Sequence, residues 1–115
     1  MRNETILCAA TWFDDGKVHR MQPTNIHSGM VVMGLNHAQI FATIGGSVKE
    51  RHELGIYEKE QGFVTSHRRF VDRKEALSIA LAAGQVVNKN GSPNQLYSED
   101  LFEEWMFERI GKSAE

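Results

Sequence analysis

The chain has 115 residues, of which 41% are hydrophobic and 24% are charged, and its formal net charge is -2. This length fits one hydrophobic core, so we expect a single ligand-binding domain over residues 1–115, and the composition excludes a disordered chain. Because the chain has no excess of basic residues, polymeric DNA or RNA is disfavoured as a partner.

The first half of the chain predicts three strands and one short helix. A β-branched, apolar run over 5–13 and the turn residues that follow predict a hairpin, whose returning strand covers 18–22 and ends at Pro23. The apolar run over 30–33 lies between glycines and predicts a buried strand. Apolar residues at helical spacing then predict a short helix, which Asn36 caps and Gly45 ends.

The second half predicts one more strand or hairpin and two helices. Residues 47–60 are polar and predict an exposed strand or an irregular loop, whereas 61–66 and 69–71 flank a turn. Asp72 and Glu75 form a capping-box pattern before a helix that Gly84 stops. A last helix begins near Ser98. The predicted fold class is therefore α+β, an antiparallel sheet with a short helix, followed by two C-terminal helices.

No recognisable catalytic or metal centre is visible in the sequence. The five histidines lack ligand spacing, no phosphate-binding glycine loop or serine elbow occurs, and Cys8 lies in an apolar strand. A single cysteine excludes an intramolecular disulfide, and no secretory signal or membrane-spanning run is visible. We expect a cytoplasmic protein that binds no membrane, uses no cofactor and is not an enzyme.

Basic residues gather near the predicted start of the first C-terminal helix. This group could bind a phosphate together with the free N–H groups of the helix start. Alternatively, it could be a solvated turn whose cations pair with nearby acidic side chains. Phe63 and Phe70 lie in the same stretch and would be core residues, or stacking platforms if exposed. The cations are Arg68, Arg69, Arg73 and Lys74.

Several of these stretches together resemble a known family. The segments QGFVTS at 61–66, RFVDRKEA at 69–76, AAGQ at 82–85 and LYSEDL at 96–101 are similar, in this order, to the phage type I Thoeris anti-defence proteins. The stretch AATWFDDG at 9–16 also fits that pattern. Proteins of that family act as sponges for cyclic ADP-ribose signals in the host cytoplasm.

The resemblance implies a self-associating protein that sequesters a cyclic nucleotide messenger without cleaving it. It implies Phe63 as the ring that stacks on adenine, with Asp72 and Arg73 at the helix start. Lys89 and Arg69 are further candidates for the ligand's phosphates. Upstream, the family pattern has a basic, histidine-containing stretch after a glycine. Here the chain reads GLNHAQ over 34–39, so the arginine is missing, while Asn36 and His37 remain as candidates.

An alternative function comes from the aromatic positions of the last predicted helix. These positions either pack on the sheet or form an interface, in which case the protein is a small interaction module that binds other proteins. The two hypotheses differ in which residues matter, because the first depends on Phe63 and the second on Trp105. The apolar positions of this helix are Leu101, Phe102, Trp105, Met106 and Ile110.

Overall fold

A four-stranded antiparallel sheet organises the protein. The computed structural model describes residues 3–85 and 95–97. Along the sheet the strands follow the order β2-β1-β3-β4, so the long strands β1 and β3 form its centre. The elements in chain order are β1 (Ile6–Asp14), β2 (Met30–Gly34), α1 (His37–Ile44), α2 (Val48–Glu53), β3 (Tyr57–Thr65), β4 (Phe70–Asp72) and α3 (Arg73–Ala82).

The predicted fold class is wrong in the arrangement of its helices. Instead of one short helix and two C-terminal ones, the described residues contain three helices interleaved among the strands, in the order β1, β2, α1, α2, β3, β4, α3. The extra helix α2 occupies part of the stretch that was expected to be a loop or an exposed strand. Its Ser47 and Glu50 form a capping box, yet none of its residues is buried, so it leaves no hydrophobic period in the sequence. The predicted helix after Ser98 lies outside the described residues.

The predicted hairpin at the end of β1 is also wrong. Residues 18–22 form no strand, and the antiparallel neighbour of β1 on this side is β2, with Phe13 opposite Met30. The carboxylates of Asp14 and Asp15 accept hydrogen bonds from the N–H groups of Gly16 and Lys17, both at 2.9 Å. These local Asx turns compete with a tight hairpin and send the chain into an irregular segment over 15–29.

The two faces of the sheet are buried differently. Alternate residues of β1 and β3, such as Phe13 and Phe63, face α1 and α3 and form the main core with Ile40 and Leu96. The opposite face has a smaller core that the irregular segment covers through Ile26. This second core contains Ala10, Val31, Val64 and Phe70. No helix among the described residues is long and apolar enough to span a bilayer.

Side-chain amides form hydrogen bonds with backbone groups at both edges of the sheet. Asn25 donates to the carbonyl oxygen of Phe70 at 2.6 Å and accepts from its N–H at 2.8 Å. At the other edge, Gln22 accepts from the N–H of Val31 at 2.7 Å. These contacts satisfy groups that an adjoining strand would otherwise use, which is one way in which proteins limit edge-to-edge association.

Candidate ligand-binding cleft

The junction of β4 and α3 is built by local sequence. Asp72 ends the strand in an extended conformation, and its carboxylate accepts from the N–H of Glu75 at 2.8 Å. This N-cap fixes the first turn of α3, so Arg73 and Lys74 start the helix beside the end of the sheet. The sequence prediction of this helix start is confirmed.

Arg73 connects three segments that are distant in the sequence. Its Nη2 donates to Oε1 of Gln61 on β3 at 2.8 Å, and its Nη1 donates to the carbonyl oxygen of Leu96 at 3.1 Å. The N–H of Leu96 in turn donates to the carbonyl oxygen of Arg73 at 2.9 Å. The planar guanidinium suits this role because its donors point in fixed, divergent directions. Arg73 therefore joins the chain at 95–97 to the sheet.

A cleft of about 410 Å³ opens beside this junction. Its charges are mixed, since three carboxylates and three cations contribute to its walls. Gln61 and Gln95 add amide groups that can both donate and accept hydrogen bonds. The cleft is lined by Glu58, Lys59, Glu60, Gln61, Asp72, Arg73, Lys74 and Gln95.

The three cations of the cleft differ in how they are held. Arg73 is half-buried and occupied by the contacts above. Lys59 lies with its Nζ 3.9 Å from Oδ2 of Asp14 and 5.1 Å from the centre of the Trp12 ring. Lys74 is exposed, and within the described part of the chain it forms no ion pair. It is the cation with the greatest freedom to meet an anionic group.

Tyr97 is a partly exposed aromatic residue beside Arg73. Its ring centre lies 5.0 Å from Cζ of Arg73, its hydroxyl is 3.4 Å from Oε1 of Gln95, and 38% of the residue is exposed. A partly exposed ring beside a cation is a frequent contact for flat ligands. Tyr97 belongs to the LYSEDL segment, but no local pattern in that segment marks it as a ligand-binding residue.

Arg69 binds acidic side chains of its own chain. Its Nε and Nη2 donate to the two oxygens of Glu4, both at 2.8 Å, and its Nη1 lies 3.0 Å from Oε1 of Glu75. The hydrogen bond from Arg69, helped by the hydroxyl of Thr65, lowers the pKa of Glu4 from 4.5 to about 2. The same pair raises the pKa of Arg69 above its usual value. Arg69 thus ties the residues before β1 to β4 and α3, and it does not line the cleft.

Phe63 lies in the core, which corrects the expectation that it stacks on a ligand. The residue is 0% exposed, and its ring meets that of His37 edge-on with the centres 5.4 Å apart. His37 is itself buried, with Nε2 2.9 Å from the carbonyl oxygen of Gly62. Asn36 caps α1 by accepting from the N–H of Gln39 at 2.8 Å. Because a sealed ring has no free face, we assign these three residues to the architecture.

The remaining predicted features divide between the core and the undescribed residues. Lys89 and the aromatic helix that begins near Ser98 lie outside the described residues. Cys8 is partly buried, and this burial raises the pKa of its thiol. Within the described ranges, no group of three or more His, Cys, Asp or Glu side chains is arranged to hold a metal ion.

Comparison with known proteins decides the family. A family model described as the Phage T4 y16D protein matches residues 5–102. The chain belongs to this family. The y16D match begins just before β1 and extends past Tyr97, so it includes every element that builds the cleft. No curated protein and no solved structure matches the chain. The protein is therefore a member of a phage protein family.

Proposed function

We propose that this phage protein binds a small cyclic nucleotide messenger of the cyclic ADP-ribose class and sequesters it without cleaving it. The observation that carries the proposal is the meeting of three segments of the resemblance at one place. Gln61, Arg73 and Leu96 come from the QGFVTS, RFVDRKEA and LYSEDL stretches, and hydrogen bonds join them beside the cleft.

The cleft is lined by acidic, basic and amide side chains, which suit a nucleotide better than a bare phosphate. Lys74 and the first turn of α3 offer positive charge to a phosphate, since the helix start also carries free N–H groups. Glu58 and Glu60 are exposed carboxylates, and such groups accept hydrogen bonds from ribose hydroxyls. The exposed amide of Gln95 can pair with the donors and acceptors on the edge of a base, whereas both ends of the Gln61 amide already form hydrogen bonds, with Arg73 and Glu58.

Tyr97 takes the stacking role that the resemblance had given to Phe63. Its ring is partly exposed next to Arg73, whereas the ring of Phe63 is closed in the core. Stacking of a base on an aromatic side chain contributes about 1–3 kcal/mol, which corresponds to roughly 5- to 150-fold in affinity. Removal of the ring should therefore have an effect that calorimetry can measure.

The test is isothermal titration of the purified protein with cyclic ADP-ribose isomers, followed by heating and analysis of the released nucleotide. We expect binding, release of intact ligand, and a loss of at least about 5-fold in affinity for Tyr97→Ala. Tyr97→Phe keeps the ring and should bind nearly as the parent does. Lys74→Glu should weaken binding, whereas Lys49→Glu, a matched exposed charge reversal on α2, should not.

Three results would refute this function. These are the absence of binding for all common isomers, an affinity that Tyr97→Ala and Lys74→Glu leave unchanged, and the appearance of a cleaved product on prolonged incubation. The last result would make the protein an enzyme acting on the same class of messenger.

A further inference from the structure

A second concave surface lies on the face of the sheet opposite the helices. This groove, which we call the methionine groove, has a volume of about 510 Å³ and shares no lining residue with the cleft at Arg73. Its lining includes Leu7, Met21, Pro23, Met33, Val64 and Arg68. Leu7, Met21 and Met33 are 62%, 97% and 53% exposed, so three large apolar side chains meet water around one depression. Clusters of this kind mark interaction sites, and methionine adapts well to a bound partner.

The backbone at the rim of the groove is held in an unfavourable conformation. Met21 has a φ of 63°, in the left-handed region that costs a residue with a side chain about 1–2 kcal/mol. The next residue, Gln22, fixes the turn by accepting from the N–H of Val31 at 2.7 Å. The structure thus holds Met21 outward against its local preference, as occurs at binding sites.

The charge of the groove restricts what can occupy it. Arg68 is the only charged residue among the described ones that line it, and the exposed Arg20 directly precedes Met21. No carboxylate of the described residues forms part of the lining. An occupant should therefore combine apolar side chains with negative charge, because it would bury the first and place the second near the arginines.

The chain itself contains a segment with this chemistry. Residues 98–110 read SEDLFEEWMFERI, in which five acids alternate with apolar and aromatic residues. The described chain ends at Tyr97 beside Arg73, next to Gln61 on β3. From Gln61 the groove residue Thr65 is four positions along the strand, or about 13 Å, and the other face of the sheet adds roughly 10 Å. Thirteen residues span about 20 Å as a helix, which is shorter than this path, but more than about 40 Å when extended. The segment therefore reaches the groove in an extended form.

We propose that the segment 98–110 of the same chain binds in the methionine groove, with its apolar positions on Met21, Met33 and Val64 and its acids near Arg68. The same chain is favoured over a second copy because the segment is covalently joined to Tyr97, and a flexible tether of this length gives an effective concentration in the millimolar range. In this arrangement the segment covers the apolar side chains of the methionine groove and does not cover the cleft at Arg73.

Photo-cross-linking of the full-length protein tests the proposal. A benzophenone amino acid replaces Met33 at the groove or, as a control, Leu54 on the opposite side of the fold, which is 75% exposed. After irradiation, peptide mass spectrometry should find position 33 joined to a peptide that contains Trp105, and position 54 should give no such product. A mixture of normal and ¹⁵N-labelled protein distinguishes linkage within one chain from linkage between two chains.

Charge reversal provides a second readout from the same experiment. Arg68→Glu should reduce the yield of the product at position 33 several-fold, whereas the exposed Lys49→Glu should leave it unchanged. The proposal fails if position 33 links to a different segment, if its yield equals that of position 54, or if products form only between labelled and unlabelled chains. Linkage only between chains would assign the groove to a second copy.

Discussion

Gly62 allows the close approach of β3 and β4 beside the cleft, and Gly62→Ala should disrupt this approach. An alanine Cβ there would overlap the carbonyl oxygen of Val71 and would lie 2.9 Å from the carbonyl carbon and 3.0 Å from Cζ of Phe70. Carbon atoms normally approach to about 3.5–4.0 Å, so the strands would have to part by roughly 1 Å. The obstacle is backbone of the paired strand, which cannot rotate away as a flexible side chain would.

The loss of stability caused by this separation depends on how many residues pair β3 with β4. The register places Gly62, Phe63 and Val64 opposite Asp72, Val71 and Phe70, so β4 has only three paired positions. Overpacking of a tight site costs about 1–3 kcal/mol, and weaker pairing of so short a strand moves the expected loss to about 3 kcal/mol. For a chain of this length, that loss lowers the melting temperature by roughly 10 °C.

Urea denaturation followed by tryptophan fluorescence measures the loss, with Gly55→Ala as the control. Gly55 has a φ of 76° and open space around its Cβ position, so its replacement costs only the backbone strain of about 1–2 kcal/mol. If Gly62→Ala were as stable as Gly55→Ala, the close contact with Val71 would not exist in solution. Gln61, which adjoins Gly62, would then not be held within hydrogen-bonding distance of Arg73 by this strand pair.

Three further changes test the supports of the fold by urea denaturation. Asn25→Ala removes both hydrogen bonds to Phe70 and should cost about 2 kcal/mol. Asn25→Asp keeps the acceptor but places a carboxylate oxygen against the carbonyl oxygen of Phe70, so it should cost at least as much. If both variants were as stable as the parent, the edge contact would be dispensable. Phe63→Ala should cost about 3–5 kcal/mol as a core truncation, and a small effect would favour an exposed ring. The pKa of Glu4 lies below its unfolded value, so the contact with Arg69 stabilises the protein above about pH 4.5, and this contribution is lost as the pH falls towards 2. Glu4→Gln should remove that part of the pH dependence, and unchanged dependence would contradict the pair.

Local interactions explain which elements the sequence could predict. Asp72 and Glu75 lie three residues apart, and the cap they build needs no distant partner, so the start of α3 was predictable. The same capping pattern at Ser47 and Glu50 does not by itself predict a helix, because α2 buries nothing and so lacks an apolar period. The turn-forming residues after Asp14 predict a hairpin, but the Asp14 side chain hydrogen-bonds the backbone and directs the chain into a loop.

Contacts between distant residues explain what the sequence could not predict. Asn25 reaches Phe70 across 45 positions, and Gln85 pairs with both backbone groups of Ile6 across 79 positions, at 2.8 Å each. Nothing in the neighbourhood of either amide indicates these partners. The cleft is hidden for the same reason, because Arg73 meets Gln61 only after β3 and β4 have paired.

The alternation of a strand accounts for the main error in the predicted site. In the run QGFV, Gln61 and Phe63 point to the helix side of the sheet, where Phe63 lies beneath the helices and Gln61 lies at the margin, within reach of Arg73. Gly62 between them faces the other side and admits β4. One short motif therefore supplies a core residue, a close strand contact and a polar site residue. Its apolar residue Phe63 belongs to the core. Its polar residue Gln61 lines the cleft beside Arg73.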